Sequence, residues 1–212
     1  GFYSLFLSIL SLALSIYALS VGSGIFSREI KEGTLKMMFM RPITRPALVT
    51  AKLLASLTVV VGLLCICSLA AYIYGLIAYG AAPVTELVYV LNASYVFKAP
   101  STFGSALPFI SELVSLIALT ILTFSISTLT KSRIAGMAIG LVIVLGVVQL
   151  VAMFLKFSAF LLSTSLDWAV YFGLGASVPL HGSFYLAIGM IFVYLVPLVV
   201  ATYLVFNKRD IA

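Results

Sequence analysis

The feature that most limits what this chain can become is the spacing of its charges. Twelve Lys and Arg and six Asp and Glu are gathered at a few places along 212 residues, and five apolar stretches lie between them. Each stretch has about 20 residues or more, enough to cross a hydrocarbon core roughly 30 Å thick as a helix rising about 1.5 Å per residue. Only 8% of the residues are charged and 63% are hydrophobic, whereas a soluble domain carries about 25% charge. A soluble enzyme, a secreted disulfide scaffold and a free nucleic-acid binder are therefore excluded. The net charge of +6 comes from residues that flank apolar spans, where Lys and Arg orient a membrane protein. The expected class is all-α, a single transmembrane helix bundle over residues 1–212 with lipid around it and no nucleic acid.

Spans are expected at about 2–26, 47–79, 109–130, 134–155 and 183–206. The second is about 50 Å long if helical, so it must tilt or project from the bilayer at its Lys52 end; projection is favoured. The segment 81–108, with Pro83, Pro100, Pro108, Asn92 and several tyrosines, has the composition of an ordered surface connection. The segment 156–182 is apolar but broken by Asp167, Gly173, Gly175 and Pro179, as in short interfacial or re-entrant helices. Basic residues fall unequally on the two sides. The Arg28–Lys52 segment holds six, the Lys131/Arg133 turn two and the Lys208/Arg209 tail two, against Lys98 and Lys156 opposite. The ten mark the cytoplasmic side of a multi-pass protein in the cytoplasmic membrane, with the C-terminus inside. Tyr72, Tyr74 and Tyr79 then suit an outer interfacial belt.

The densest information lies between the first two spans, in Glu32-Gly33-Thr34-Leu35-Lys36-Met37-Met38-Phe39-Met40-Arg41-Pro42-Ile43-Thr44-Arg45-Pro46. Glu32 is the last helix-compatible residue before Gly33, which takes the left-handed backbone that ends a helix, and Thr34 caps the next one. Leu35, Met38 and Phe39 then share one face of a short helix that Arg41-Pro42 ends. A methionine- and phenylalanine-bearing helix parallel to the membrane suits docking into a partner's groove; it equally suits a helix floating among lipid headgroups.

The order of apolar span, Arg-Glu-Ile-Lys-Glu-Gly-Thr-Leu, short helix, Arg-Pro-Ile-Thr-Arg and second span resembles the permease subunits of ABC-2 type ABC transporters. The closing Phe206-Asn207-Lys208-Arg209-Asp210-Ile211 is similar to the basic end common in that family. The resemblance implies a dimer of permease subunits, each with six spans, driven by two ATP-binding cassette subunits. A sixth span would precede Gly1, which falls on the outer side. It implies that residues 28–46 form a cytoplasmic coupling region and that Glu32, Gly33, Thr34, Leu35, Met38, Phe39, Arg41 and Pro42 contact the ATPase. No Gly-x-x-x-x-Gly-Lys-Ser/Thr is present, so ATP and magnesium are expected on the partner and no cofactor on this chain. The expected function is an exporter's permease subunit. The alternatives are a non-transporting assembly subunit and a stand-alone ion-coupled carrier.

Few other residues invite chemistry. Ser177 and His181 are interrupted by Pro179 and lack an orienting acid, so a serine hydrolase is poorly supported. Cys65 and Cys67 point in different directions on a helix and suit packing or lipid. Glu112, just past Pro108, reads first as a helix-dipole partner and second as a proton or cation site. Gln149 reads first as an interhelical hydrogen bond and second as a substrate ligand. Ala18, Gly22, Gly136 and Gly140 permit close helix approach.

Overall fold

The computed structural model describes residues 2–32, 45–80, 87–91, 96–145, 165–166 and 184–208. Its elements are helix α1 (Phe2–Glu32), helix α2 (Arg45–Tyr79), strands β1 (Leu87–Leu91) and β2 (Val96–Pro100), and helices α3 (Ser101–Thr130), α4 (Arg133–Val144) and α5 (Phe184–Lys208). Among the described residues, three helices hold segments long and apolar enough to cross a membrane: Pro46–Ala78, Ala106–Thr130 and Tyr185–Phe206. Two shorter apolar helical segments are Ile9–Ile25 and Arg133–Val144.

The ends of α2 follow from local chemistry. Pro46 lies in its first turn, where a missing N–H removes no helical bond. After Tyr79 the chain takes the left-handed conformation at Gly80 (φ 75°), whose N–H donates to the Leu76 carbonyl at 3.0 Å. The link between α3 and α4 is the two residues Lys131 and Ser132, and the Ser132 hydroxyl accepts from the Ala135 N–H at 3.4 Å to cap α4.

Two expectations for segment 81–108 need correction. In place of a plain surface connection, β1 and β2 form an antiparallel hairpin beside the helical bundle, with Leu87 opposite Pro100 and Leu91 opposite Val96. Helix α3 begins at Ser101 rather than near residue 109 and carries Pro108 inside it. By composition the prolines suit an ordered surface connection rather than a span. Pro100 instead ends a two-stranded sheet, where no further ladder N–H is required, and a proline within a membrane helix is tolerated when its surroundings satisfy the freed carbonyl.

Among the described residues, helix α3 is the centre of the packing and contributes to all three buried clusters. With Leu14 and Ala18 of α1 and Val60 and Leu64 of α2, it shares a cluster through Leu116. Through Ala118, Leu119 and Leu122 it joins Leu19, Leu166 and Ile191. Through Phe124 it joins Leu48 and Val49 of α2 and Phe206 of α5. Half of its apolar segment is buried, against 17% for α2 and 11% for α5, so the latter two present mostly apolar side chains outward. Such a surface is compatible with lipid and not with water.

Several threonine hydroxyls inside this apolar body are satisfied within their own helix. The hydroxyls of Thr120, Thr123 and Thr128 each donate to the carbonyl four residues earlier, at 2.7, 2.8 and 2.7 Å. Thr202 in α5 does the same at 2.8 Å. Such back-bonding removes the penalty of an unpaired hydroxyl in hydrocarbon.

Candidate functional site

Helix directions follow from the pairs that meet. Ser127 of α3 reaches Ser23 of α1, and Leu116 shares a cluster with Leu14, so α1 and α3 run the same way. Lys52 of α2 pairs with Glu29 of α1, while Val60 and Leu64 lie with Ala18 and Leu14, so α2 runs oppositely. Helix α5 follows α3, with Ile191 near Leu119 and Phe206 near Phe124. One end of the bundle therefore gathers the last turn of α1, the first turn of α2, the Lys131–Arg133 turn and the last turn of α5. Lys98, in β2 beside the start of α3, lies at the other end. The exposed Tyr72, Tyr74 and Tyr185 lie toward that end too, as an interfacial aromatic belt requires.

Segment 33–44 joins two helix ends that are clamped together. The Lys52 ammonium donates to the Glu29 carboxylate across α1 and α2, and both side chains are nearly four-fifths buried. Glu32 is the final residue of α1, where the sequence reading ended the first helix. Gly33, Thr34, Leu35, Met38, Phe39, Arg41 and Pro42 lie outside the described residues, as do Gln149, Ser177 and His181.

Glu112 has a different setting from the one its neighbour Pro108 suggested. The helix starts 11 positions earlier, about 17 Å away, and dipole stabilisation is confined to the first turn. The residue lies within the apolar segment Ala106–Thr130, about 9 Å from its start, and is half-buried. Its place is therefore inside the apolar segment and away from the first turn of α3. Cys65 is exposed and Cys67 half-buried against the Leu14–Leu116 cluster, as lipid-facing and packed residues.

What the sequence reading missed is a polar seam joining α1, α3 and α4. The Ser23 carbonyl accepts from the Ser27 hydroxyl in its own helix and from the Ser127 hydroxyl of α3 at 2.7 Å. Glycines bring the backbones together there. A Cβ on Gly22 would lie 2.9 Å from the Thr120 carbonyl oxygen and collide with the Thr123 hydroxyl. One on Gly136 would lie 3.0 Å from both the Ser127 Cβ and the Thr123 carbonyl, and one on Gly140 would collide with Leu19. At the edge of the seam the Arg133 guanidinium donates to the Ser20 hydroxyl at 2.9 Å. The spacing of Ser23 with Ser27, and of Thr120 and Thr123 with Ser127, puts each set on one helix face and was the available signal.

Among the described residues no group of three or more His, Cys, Asp or Glu is placed to hold a metal ion. Long apolar helices, one basic end and internally bonded hydroxyls together define a helical membrane protein. The chain belongs to the family DUF2705, described as a protein of unknown function, whose model matches residues 2–212. No curated protein and no solved structure matches it.

Proposed function

We propose that this chain is the permease subunit of an ATP-driven transporter of the ABC-2 type, an exporter, worked by a separate ATP-binding subunit. The observation that carries the reading is the placement of the Glu32–Pro42 sequence between two helices whose ends are tied by Glu29 and Lys52 at the basic end of the bundle. A segment held at both ends by packed helices passes force to them, which is what a coupling element must do. Leu35, Met38 and Phe39 supply the apolar contact with the ATPase, and Glu32 and Arg41 the polar rim. ATP and magnesium belong to the partner, and a second permease copy completes the pathway.

The test is co-purification followed by activity. The chain should bring down an ATPase with a phosphate-binding loop, and Gly33→Val should uncouple or disassemble the pair, because a β-branched residue resists the left-handed conformation. Unchanged substrate-stimulated ATP hydrolysis in Gly33→Val would remove the role given to this turn. Recovery of a stable complex with no ATPase would favour an assembly subunit.

One observation supports a stand-alone ion-coupled carrier, namely Glu112 within the apolar segment of α3. Glu112→Gln separates the readings. Transport persists if the carboxylate is structural, and abolished transport with intact assembly favours ion coupling.

A further inference from the structure

We infer that the α3–α4 turn is a binding site for the phosphate headgroup of an anionic lipid, formed by Lys131 and Arg133 against helix α1.

The guanidinium of Arg133 is fixed while its surface stays open. It donates through Nη2 to the Ser20 hydroxyl at 2.9 Å. Its Nε, Cζ and Nη2 lie 3.5, 3.6 and 3.9 Å from where a Gly24 side chain would begin, so the group rests over a glycine that leaves it room. Arg133 is exposed despite these contacts. Arginine has five N–H donors in a rigid fork suited to phosphate oxygens, and Ser20 takes one.

The second observation is Lys131. At the end of α2 the left-handed position is filled by glycine, Gly80; at the end of α3 it is filled by lysine, with φ 56°. A residue with a Cβ is strained there, and glycine is not. The strain places an exposed ammonium two residues from the fixed guanidinium. The left-handed residue ends α3, and its being lysine rather than glycine puts a cation at the turn.

Depth names the ligand. Ser20 and Gly24 belong to the last turns of α1's apolar segment Ile9–Ile25, and Gly24 is about 6 Å short of Arg28, where the charged part of α1 begins. The guanidinium thus lies near the hydrocarbon boundary, where lipid phosphates sit. Glu29, the nearby acid whose side chain is described, is already paired with Lys52. Two cations there match a phosphate with net negative charge better than a zwitterionic headgroup.

The full chain is tested in nanodiscs of phosphatidylcholine with a minority of phosphatidylglycerol, with retained lipid weighed by native mass spectrometry. Phosphatidylglycerol should be enriched over its bulk share. Arg133→Gln and Lys131→Gln should each lower the enrichment about fivefold and the pair about thirtyfold. Gly24→Leu, which fills the guanidinium's place, should act like Arg133→Gln, whereas Gly24→Ala should not. Lys131→Gly should lower enrichment while raising the melting temperature, a combination that a purely structural lysine does not give. Lys208→Gln, at the same end, should change nothing. Absence of enrichment in the unaltered chain, or an equal loss in Lys208→Gln, would overturn the site. Inorganic phosphate that protects the lipid-free chain as well as phosphatidylglycerol does would overturn the choice of a lipid.

Discussion

The two sides of this bundle hold together by different means. Where α1, α3 and α4 meet, glycines at 22 and 136 let backbone approach backbone, Gly140 makes room for the Leu19 and Thr123 side chains, and serines and threonines fill the space left. Where α2 and α5 meet the rest, leucine, valine and phenylalanine contacts stand beside the Glu29–Lys52 ion pair, and Gly62 and Gly189 have open space around them. The contrast teaches that glycine in a membrane helix carries no fixed meaning. It marks close approach only where a neighbouring helix occupies the room a side chain would take. In a surrounding medium as apolar as leucine, such close packing is a main source of helix adhesion.

The comparison breaks first at the glycines. Gly140→Leu should destabilise the protein by about 3 kcal/mol or prevent folding, because the new side chain would overlap those of Leu19 and Thr123, which are themselves fully buried. Gly62→Leu and Gly189→Leu should stay within about 0.5 kcal/mol. Thermal unfolding in detergent compares them, and a loss at Gly62 as large as at Gly140 ends the distinction. Next comes the tie between the two sides. Lys52→Met should cost about 2 kcal/mol, since the Glu29 carboxylate is left mostly buried. A double-mutant cycle with Glu29→Gln should recover part of that loss, and strict additivity would mean the two residues do not interact. The smallest effect is expected at the seam's cross-helix hydrogen bond. Ser127→Ala should cost about 0.6 kcal/mol, the usual worth of an interhelical bond in a membrane. Thr58→Ala, which removes a bond within α2 on an exposed face, should be close to neutral. If Thr58→Ala costs as much, the seam is no stronger than any other hydroxyl.

Much of the helical frame was legible in the sequence because the medium reads hydrophobicity directly. The apolar runs located α1, α2 and α5 to within a few residues, except that α1 runs on through the charged residues to Glu32, and Pro46 and Gly80 mark the ends of α2. Gly136 and Gly140 stood out as packing residues and do pack. The hairpin and the true start of α3 were hidden by Pro100 and Pro108, whose local preference against regular structure was overridden by their placement. That error carried into Glu112, whose surroundings depend on where the helix begins. The Ser and Thr seam was missed for another reason. Hydropathy treats these residues as neutral, while their worth depends on which carbonyl lies opposite, and only the fold decides that. The basic end was legible from charge counting, but its pairing was not, because Glu29 and Lys52 are 23 positions apart.

Helix α1 runs for 31 residues without a proline, unlike α3 and α5. It is joined along one flank to α3 and α4 by contacts too tight to slide. A pull on its final turn would therefore swing three helices as one stiff lever instead of bending one of them. Helix α5, with the least of its apolar segment buried, would be the part that gives way.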